Sequence, residues 1–315
     1  MPRWLNTGSR AISPQSDVYR RALLIRNPGS RQGDSANLDA GLARLEAAGI
    51  QLSPVISESA AQSCEIICQR CNDVDLVIIG GGDGTISSCA RALLECKLPF
   101  AILPLGTAND LARSLAIESV EQAIAAICDG HTAEIDLGVV NEHVFFNVAN
   151  LGLGVQVTEE LTPEVKQRWG VFSYLKALMS AFARHRQFRV ELQIDGERRV
   201  MRSIQLAVGN GRFYGGGNIV HQEATIDDDL LHLYSLRPQT FWELLTLAPL
   251  LRGGRHDIAR RTFAASGRDI RISTGSKPMS IHADGEPVSE TPAHFSVKPG
   301  ALNVVVPSGS PLLKR

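Results

Sequence analysis

The chain has 315 residues, about twice a typical domain of roughly 150, so it can bury more than one core and needs no disulfide framework. Its 32 Lys and Arg against 33 Asp and Glu leave a net charge of −1, which excludes the global basic field of a dedicated nucleic-acid binder. Hydrophobic residues at 44%, with 28 glycines and 5% aromatics, describe a globular composition in which any charged ligand is held locally.

Residues 1–17, MPRWLNTGSRAISPQSD, are polar and lack the apolar core of roughly 7–15 residues that a secretory signal carries, so they read as a loose leader. ALLIRNP is a strand ending at Asn27-Pro28, and Leu38, Leu42 and Leu45 mark a helix. Ala60, Ala61, Cys64, Ile67, Cys68 and Cys71 recur at helical spacing as one apolar stripe. Cys64, Cys68 and Cys71 also have the C-x3-C-x2-C spacing of some iron–sulfur sites, but the motif closes a helix, and packing is the better reading. With no export signal, the six cysteines are expected reduced in the cytoplasm.

DLVIIG is a buried strand, followed by a helix starting near Ile86 and marked by Cys89, Ala90, Leu93 and Leu94. FAILPL is the next strand, with a helix from about Asn109. This alternation over 18–134 implies a doubly wound parallel sheet. After Asp136 the texture changes to short β runs separated by turns, among them VVNEHVFFNVAN, LLHLYSLR, RDIRIST and PAHFSVKPG. With helices near 170–184 and 240–251, residues 135–300 read as a second, mainly antiparallel domain. In the closing segment 301–315, ALNVVVP can join either sheet. The chain's longest nearly apolar stretch, Leu244 to Leu251, is less than half of the roughly 18 residues that cross a membrane.

The strongest chemical signal is the GGGDGT run from Gly80 to Thr85, set between a buried strand and a helix. Its glycines allow close backbone approach and conformations closed to other residues, while amides at the helix start favour an anion. Neither G-x-x-x-x-G-K-[ST] nor G-x-G-x-x-G occurs. A second strand–loop–helix element, PLGTAND from Pro104 to Asp110, leaves the same end of the sheet, and Asn27 joins that rim. Taken singly, Asn109 or Asp110 can cap a helix and Asn27-Pro28 can turn the chain.

IRNPGS, GGGDGT, PLGTANDLA, GNGRFYGGG, TIDDDLLHLY and a late DGEP, in that order, resemble the diacylglycerol kinase catalytic-domain family, most nearly its soluble bacterial YegS-like lipid kinases. GGDGT alone is shared with NAD kinases; PLGTAND and DGE narrow it. The resemblance implies a nucleotide domain with an NAD kinase-like parallel sheet and a β-sandwich-like lipid domain. It also implies a last strand returning to the first domain over 301–315. ATP is expected at Gly81, Gly82, Asp83, Gly84, Thr85 and Thr107, with Asn27 and Asn109 on the same rim.

Phosphoryl transfer to a hydroxyl needs a carboxylate to take the proton and a divalent ion to neutralise charge. Asp-Gly-Glu occurs twice, at Asp195-Gly196-Glu197 and Asp284-Gly285-Glu286, and Asp-Gly is a common hairpin turn. Asp195 lies between alternating runs and reads as such a hairpin, whereas the flanks of Asp284 do not look like a symmetric one. Asp284 is the expected general base, matching the family's position, with Glu286 supporting it or orienting the metal. Asp227, Asp228 and Asp229 by themselves read as solvated charges. The resemblance implies a structural Mg2+ held through Thr225, Asp228 and Leu230, although Asp229 stands where the family has Gly. Ser87-Ser88 likewise replaces Asn-Glu.

Two apolar segments with basic ends, one containing Phe241, Trp242 and Leu244 and the other preceding Arg184 and Arg186, suit peripheral contact with anionic lipid. Core burial is the competing reading for both. The expectation is an ATP- and Mg-dependent lipid kinase acting on a lipid such as diacylglycerol, without nucleic acid, and with dimerisation left open. The rivals are an NAD kinase-like small-molecule kinase and a non-catalytic nucleotide or lipid sensor.

Overall fold

The computed structural model describes residues 19–27, 35–155, 187–214, 217–219, 223–237, 262–275 and 277–314. The leader, Gly215 and Gly216, and the apolar segments near 170–184 and 240–251 lie outside the described residues. No helix among the described residues is long and apolar enough to cross a membrane.

The first half alternates β1 (Arg21–Arg26), α1 (Ser35–Ala47), β2 (Gln51–Ile56), α2 (Ala60–Arg70), β3 (Leu76–Gly81), α3 (Asp83–Cys96), β4 (Phe100–Pro104), α4 (Asp110–Ser114) and α5 (Val120–Asp129). The strands pair in parallel in the order β2-β1-β3-β4. All six residues of β3, LVIIGG, are buried, as expected of a strand covered on both faces. Ser59 and Ser119 start α2 and α5 by accepting the amides of Gln62 and Gln122, and Gly130 closes α5 at φ 72°. The buried face of α2 is Ser63 and Ile67. Cys68 is exposed and Cys64 and Cys71 are half-buried, so the expected cysteine stripe is only partly a packing face. One helix start also differs from expectation, while that expected near Asn109 is met at Asp110. α3 opens at Asp83, because Gly82 already accepts the amides of Thr85 and Ile86, and the helix expected from Asn109 is the short α4, separate from α5.

The second half runs β5 (Thr132–Val140), β6 (His143–Phe145), β7 (Val148–Gly152), β8 (Phe188–Ile194), β9 (Glu197–Ser203), β10 (Gln205–Gly209), β11 (Phe213–Tyr214) and β12 (Asn218–Ile219). β13 (Leu231–Leu236), β14 (Thr262–Gly267), β15 (Asp269–Ser273), β16 (Ser280–Ala283), β17 (Glu286–Glu290) and β18 (Ala293–Val305) follow, then a 3-10 turn at Pro311–Lys314. β14-β13-β10-β7-β16-β17 form an antiparallel sheet. Its inner residues, such as Leu151, Leu206, Val208, Leu233 and Ile281, share one buried cluster with Val190, Leu192, Ile270, Ile272 and Phe295 of the larger sheet. Two sheets packed face to face with alternating inward residues are a β-sandwich.

The larger sheet runs β2-β1-β3-β4-β18-β15-β8-β9. β18 is its hinge: Val304 pairs in parallel with Phe100 of β4, while the strand runs antiparallel to β15 and β5. The ambiguity of ALNVVVP thus has a physical answer. The strand begins at Ala293 and hydrogen-bonds to both kinds of neighbour, so parallel and antiparallel halves share one continuous sheet.

Candidate active site

The two loops of the parallel half meet backbone to backbone. A Cβ placed on Gly106 would stand 2.4 Å from Gly82 Cα, and one on Gly81 would stand 2.6 Å from Thr85 Cβ. None of Gly80, Gly81, Gly82 and Gly84 has a positive φ. The loop therefore needs glycine for closeness and not, as the sequence suggested, for unusual conformation. Gly84 faces open space, and Thr107 is exposed with no hydrogen bond among the described residues.

The polar residues of the rim divide into those that shape it and those that remain open to a ligand. Asn109, in the left-handed region at φ 50°, folds its side chain back on its own loop. Its Oδ1 accepts from Gly106 N at 2.9 Å, and Nδ2 donates to Pro104 O and Gly106 O at 3.3 and 3.1 Å. Asp83 ties the loops together: Oδ1 accepts the amide of Leu111 in α4 at 3.0 Å and Asn147 Nδ2 at 3.5 Å. Asn27 Nδ2 donates to Thr85 Oγ1 at 3.5 Å. The N-terminus of α3 is thereby held at the carboxyl end of β3, where backbone amides and the helix dipole favour an anion.

Asp284 reaches this region from the antiparallel sheet. Its flanks were not expected to form a symmetric hairpin, and β16 and β17 pair antiparallel across the two-residue turn Asp284-Gly285 with a register shift between Ile281 and His282. The turn has φ values of 48° and 94°, close to the 46° and 92° of Asp195-Gly196 between β8 and β9. Both copies are therefore the same local structure, a turn with two positive φ values that Asp-Gly accommodates. What differs is the surroundings. Asp195 Oδ1 accepts the amides of Arg268 and Asp269 at 3.0 and 2.9 Å, tying one hairpin to the β14–β15 turn. Asp284 Oδ2 accepts from Phe146 N at 2.8 Å and from Ser87 Oγ of α3 at 3.0 Å. Its Oδ1 accepts from Asn147 N and Val148 N at 2.9 and 3.2 Å. Burial pushes the Asp284 carboxyl above its ordinary value, opposed by these four donors. Glu286 is exposed at the start of β17 and makes no hydrogen bond to Asp284.

Four polar residues at this junction escaped the sequence reading. Asn147 and Asn210 are 5% and 1% exposed, and each leaves a side-chain oxygen without a partner. Asp110, which sequence allowed only as a cap, accepts Gly217 N at 2.8 Å. Asp136 accepts the amides of Asp229 and Gly300 at 2.7 and 2.8 Å, and burial raises its pKa. The available signal was a lone polar residue inside an apolar run, as in FFNVA and EIDLG, where only a buried partner stabilises it.

At the acidic loop, Asp229 takes φ 61°, the conformation a glycine would adopt, and Arg268 pairs with its carboxylate at 3.2 Å. Asp228 Oδ2 accepts from Thr225 N at 2.9 Å and meets His232 Nε2 at 2.9 Å, while Oδ1 accepts from Leu230 N at 3.0 Å. No cluster of three His, Cys, Asp or Glu suited to a metal occurs among the described residues. Both oxygens of Asp228 are thus engaged by groups of the protein itself.

The arrangement is that of a two-part α/β and β-sandwich protein in which a glycine-lined loop at a helix start meets a carboxylate delivered by the sandwich, and the comparisons with known proteins give its class as kinase. A family model described as the diacylglycerol kinase catalytic domain matches residues 21–140, and one described as the YegS C-terminal NAD kinase beta sandwich-like domain matches 147–306. A Pseudomonas fluorescens protein named "Probable lipid kinase YegS-like" is 34% identical over 93% of this chain and 98% of its own length. One of the same name from Pseudomonas aeruginosa is 36% identical over 76% and 78%. The chain belongs to the family of YegS-like lipid kinases. A solved diacylglycerol kinase structure from Bacillus anthracis str. Sterne shares the fold, with a TM-score of 0.71 at 20% identity over 93% of this chain and 98% of that one.

Proposed function

We propose that the protein transfers the γ-phosphoryl group of ATP to the hydroxyl of a lipid such as diacylglycerol, with Asp284 as general base. The observation that carries this reading is the 3.0 Å hydrogen bond from Ser87 to Asp284, which brings a half-buried carboxylate of one sheet to the helix that opens at the glycine loop of the other. Gly81, Gly82, Gly84 and the exposed Thr107 would line the phosphates, while Asp83, Asn27 and Asn109 hold the loops in shape. The acceptor oxygen attacks the γ-phosphorus in line as its proton passes to Asp284, and the bond to the bridging oxygen breaks, releasing ADP.

Mg2+ would supply charge neutralisation at the phosphates, and Thr225, Asp228 and Leu230 are the residues that would hold a structural ion. Access to a lipid acceptor implies peripheral membrane contact.

Labelled ATP presented with diacylglycerol, phosphatidylglycerol, ceramide, sphingosine and NAD tests the reading, using wild type and Asp284→Asn. Label is expected in diacylglycerol or another lipid with wild type only. Labelling of NAD alone, or full activity in Asp284→Asn, would overturn it.

A further inference from the structure

The donors around Asp284 are not equivalent. A carboxylate has about four acceptor sites, and here four donors fill them. Three are amides of the consecutive residues Phe146, Asn147 and Val148, whose directions are set by the backbone between β6 and β7. The fourth, Ser87 Oγ–H, turns about single bonds and is the one donor that can leave without moving a strand. Ser87 is half-buried and sits two residues after Thr85, on the same helix whose first turn forms the phosphate loop.

We propose that Ser87 is a positioning residue for phosphoryl transfer: its hydroxyl holds Asp284 Oδ2 in place and yields that site to the hydroxyl of the acceptor. This rests on the reading of Asp284 as the base. An acceptor hydroxyl approaching from the phosphate loop meets Oδ2, because Oδ1 is held by two fixed amides. To donate to Oδ2 it must occupy the lone pair that Ser87 uses. As the oxygen–phosphorus bond forms, the proton moves to Oδ2 and the electron pair of the broken bond leaves with ADP. The carboxyl, now neutral, needs an acceptor. Backbone amides can only donate, whereas a serine hydroxyl both donates and accepts. Ser87 can therefore hold Oδ2 before transfer and receive its proton's hydrogen bond afterwards. The other carboxylate, imidazole and guanidinium groups on the elements packed here are Asp83, Arg91 and Glu95 on α3, His143 on β6, His282 on β16, and Glu286 and Glu290 on β17.

The test compares Ser87→Ala and Ser87→Thr with wild type, phosphorylating diacylglycerol in mixed micelles across pH. Losing one hydrogen bond to the charged form should lower kcat about 3- to 10-fold, leave the KM for ATP unchanged, and move the acid limb to higher pH. Thr, which keeps the hydroxyl, should restore most of the rate. A 13C titration of labelled Asp carboxyls, with Asp284 assigned from the resonance missing in Asp284→Asn, reads the same interaction without turnover. Ser87→Ala should raise that carboxyl's midpoint, and should Ala fail to fold, Ser87→Cys carries the comparison. Wild-type kcat and an unmoved carboxyl midpoint in Ser87→Ala, beside an inactive Asp284→Asn, would overturn the role of Ser87 alone. An active Asp284→Asn would instead overturn the base assignment and this proposal with it.

Discussion

Gly82 and Gly106 occupy each other's side-chain space: a Cβ on either would lie within 3.0 Å of the other's Cα. Neither has a flexible side chain that could yield, so contact between the two loops depends on both lacking a Cβ.

Gly106→Ala is accordingly expected to cost about 1–3 kcal/mol and to weaken ATP binding, because separating the backbones also disturbs the Asn109 clasp. Gly84→Ala meets nothing within 4 Å and lies in a helical first turn, so it should fold at least as well as wild type. Thermal unfolding and ATP calorimetry of both variants check this; equal stability of the two would refute the close-packing account.

Asp83→Ala removes the acceptor for Leu111 N at the start of α4 and a partner of Asn147. A loss of about 1 kcal/mol is expected from denaturant midpoints, the usual size of a lost helix cap. An unchanged midpoint would mean that the bond contributes nothing to folding.

Asp284 gives a pH dependence of definite sign. Its folded pKa lies above the ordinary 3.8 because burial disfavours the charged form, so the native state binds this proton more tightly than the unfolded chain. Its contribution is complete below pH 3.8 and declines as pH rises through the raised native value, by at most about 1.4 kcal/mol per unit. The stability advantage of wild type over Asp284→Asn should shrink as pH climbs from 4. An advantage that grows would show the four hydrogen bonds outweighing burial.

Asp195→Ala tests the other copy of the tripeptide. Loss of the bonds from Arg268 and Asp269 should cost about 1 kcal/mol while phosphorylation of the lipid acceptor stays at the wild-type rate. A folded but inactive Asp195→Ala would mean that the two copies have been assigned the wrong way round.

The cysteines should react in a defined order. Burial pushes the Cys89 and Cys96 thiols up to about 12, and Cys96 also shares hydrogen bonds with Cys71 and Cys68. At pH 8 both stay protonated, so iodoacetamide followed by mass spectrometry should find exposed Cys68 modified first and Cys89 last. Rapid labelling of Cys89 in the folded protein would contradict its burial.

Sequence alone was sufficient for features that depend on near neighbours. The alternation of LVIIG, GGGDGT and FAILP determines a parallel layer with a glycine loop opening a helix, since strand burial and helix starts are local properties. The motif order also pointed to the family. The two DGE tripeptides show where that legibility ended. Their turns are alike because a turn is dictated by its own Asp-Gly, while the strands differ as their sequences suggested: β16 and β17 pair with a register shift between Ile281 and His282, and β8 and β9 pair without one. Ser87 lies 197 residues from Asp284, and Phe146 lies 138 away. Only the pairing of β16 with β7, and of β18 with both β4 and β5, brings them together. Tertiary structure thus decided which of the two carboxylates meets α3 beside the glycine loop, because desolvation and hydrogen bonding at a side chain are set by distant residues that local spacing does not encode.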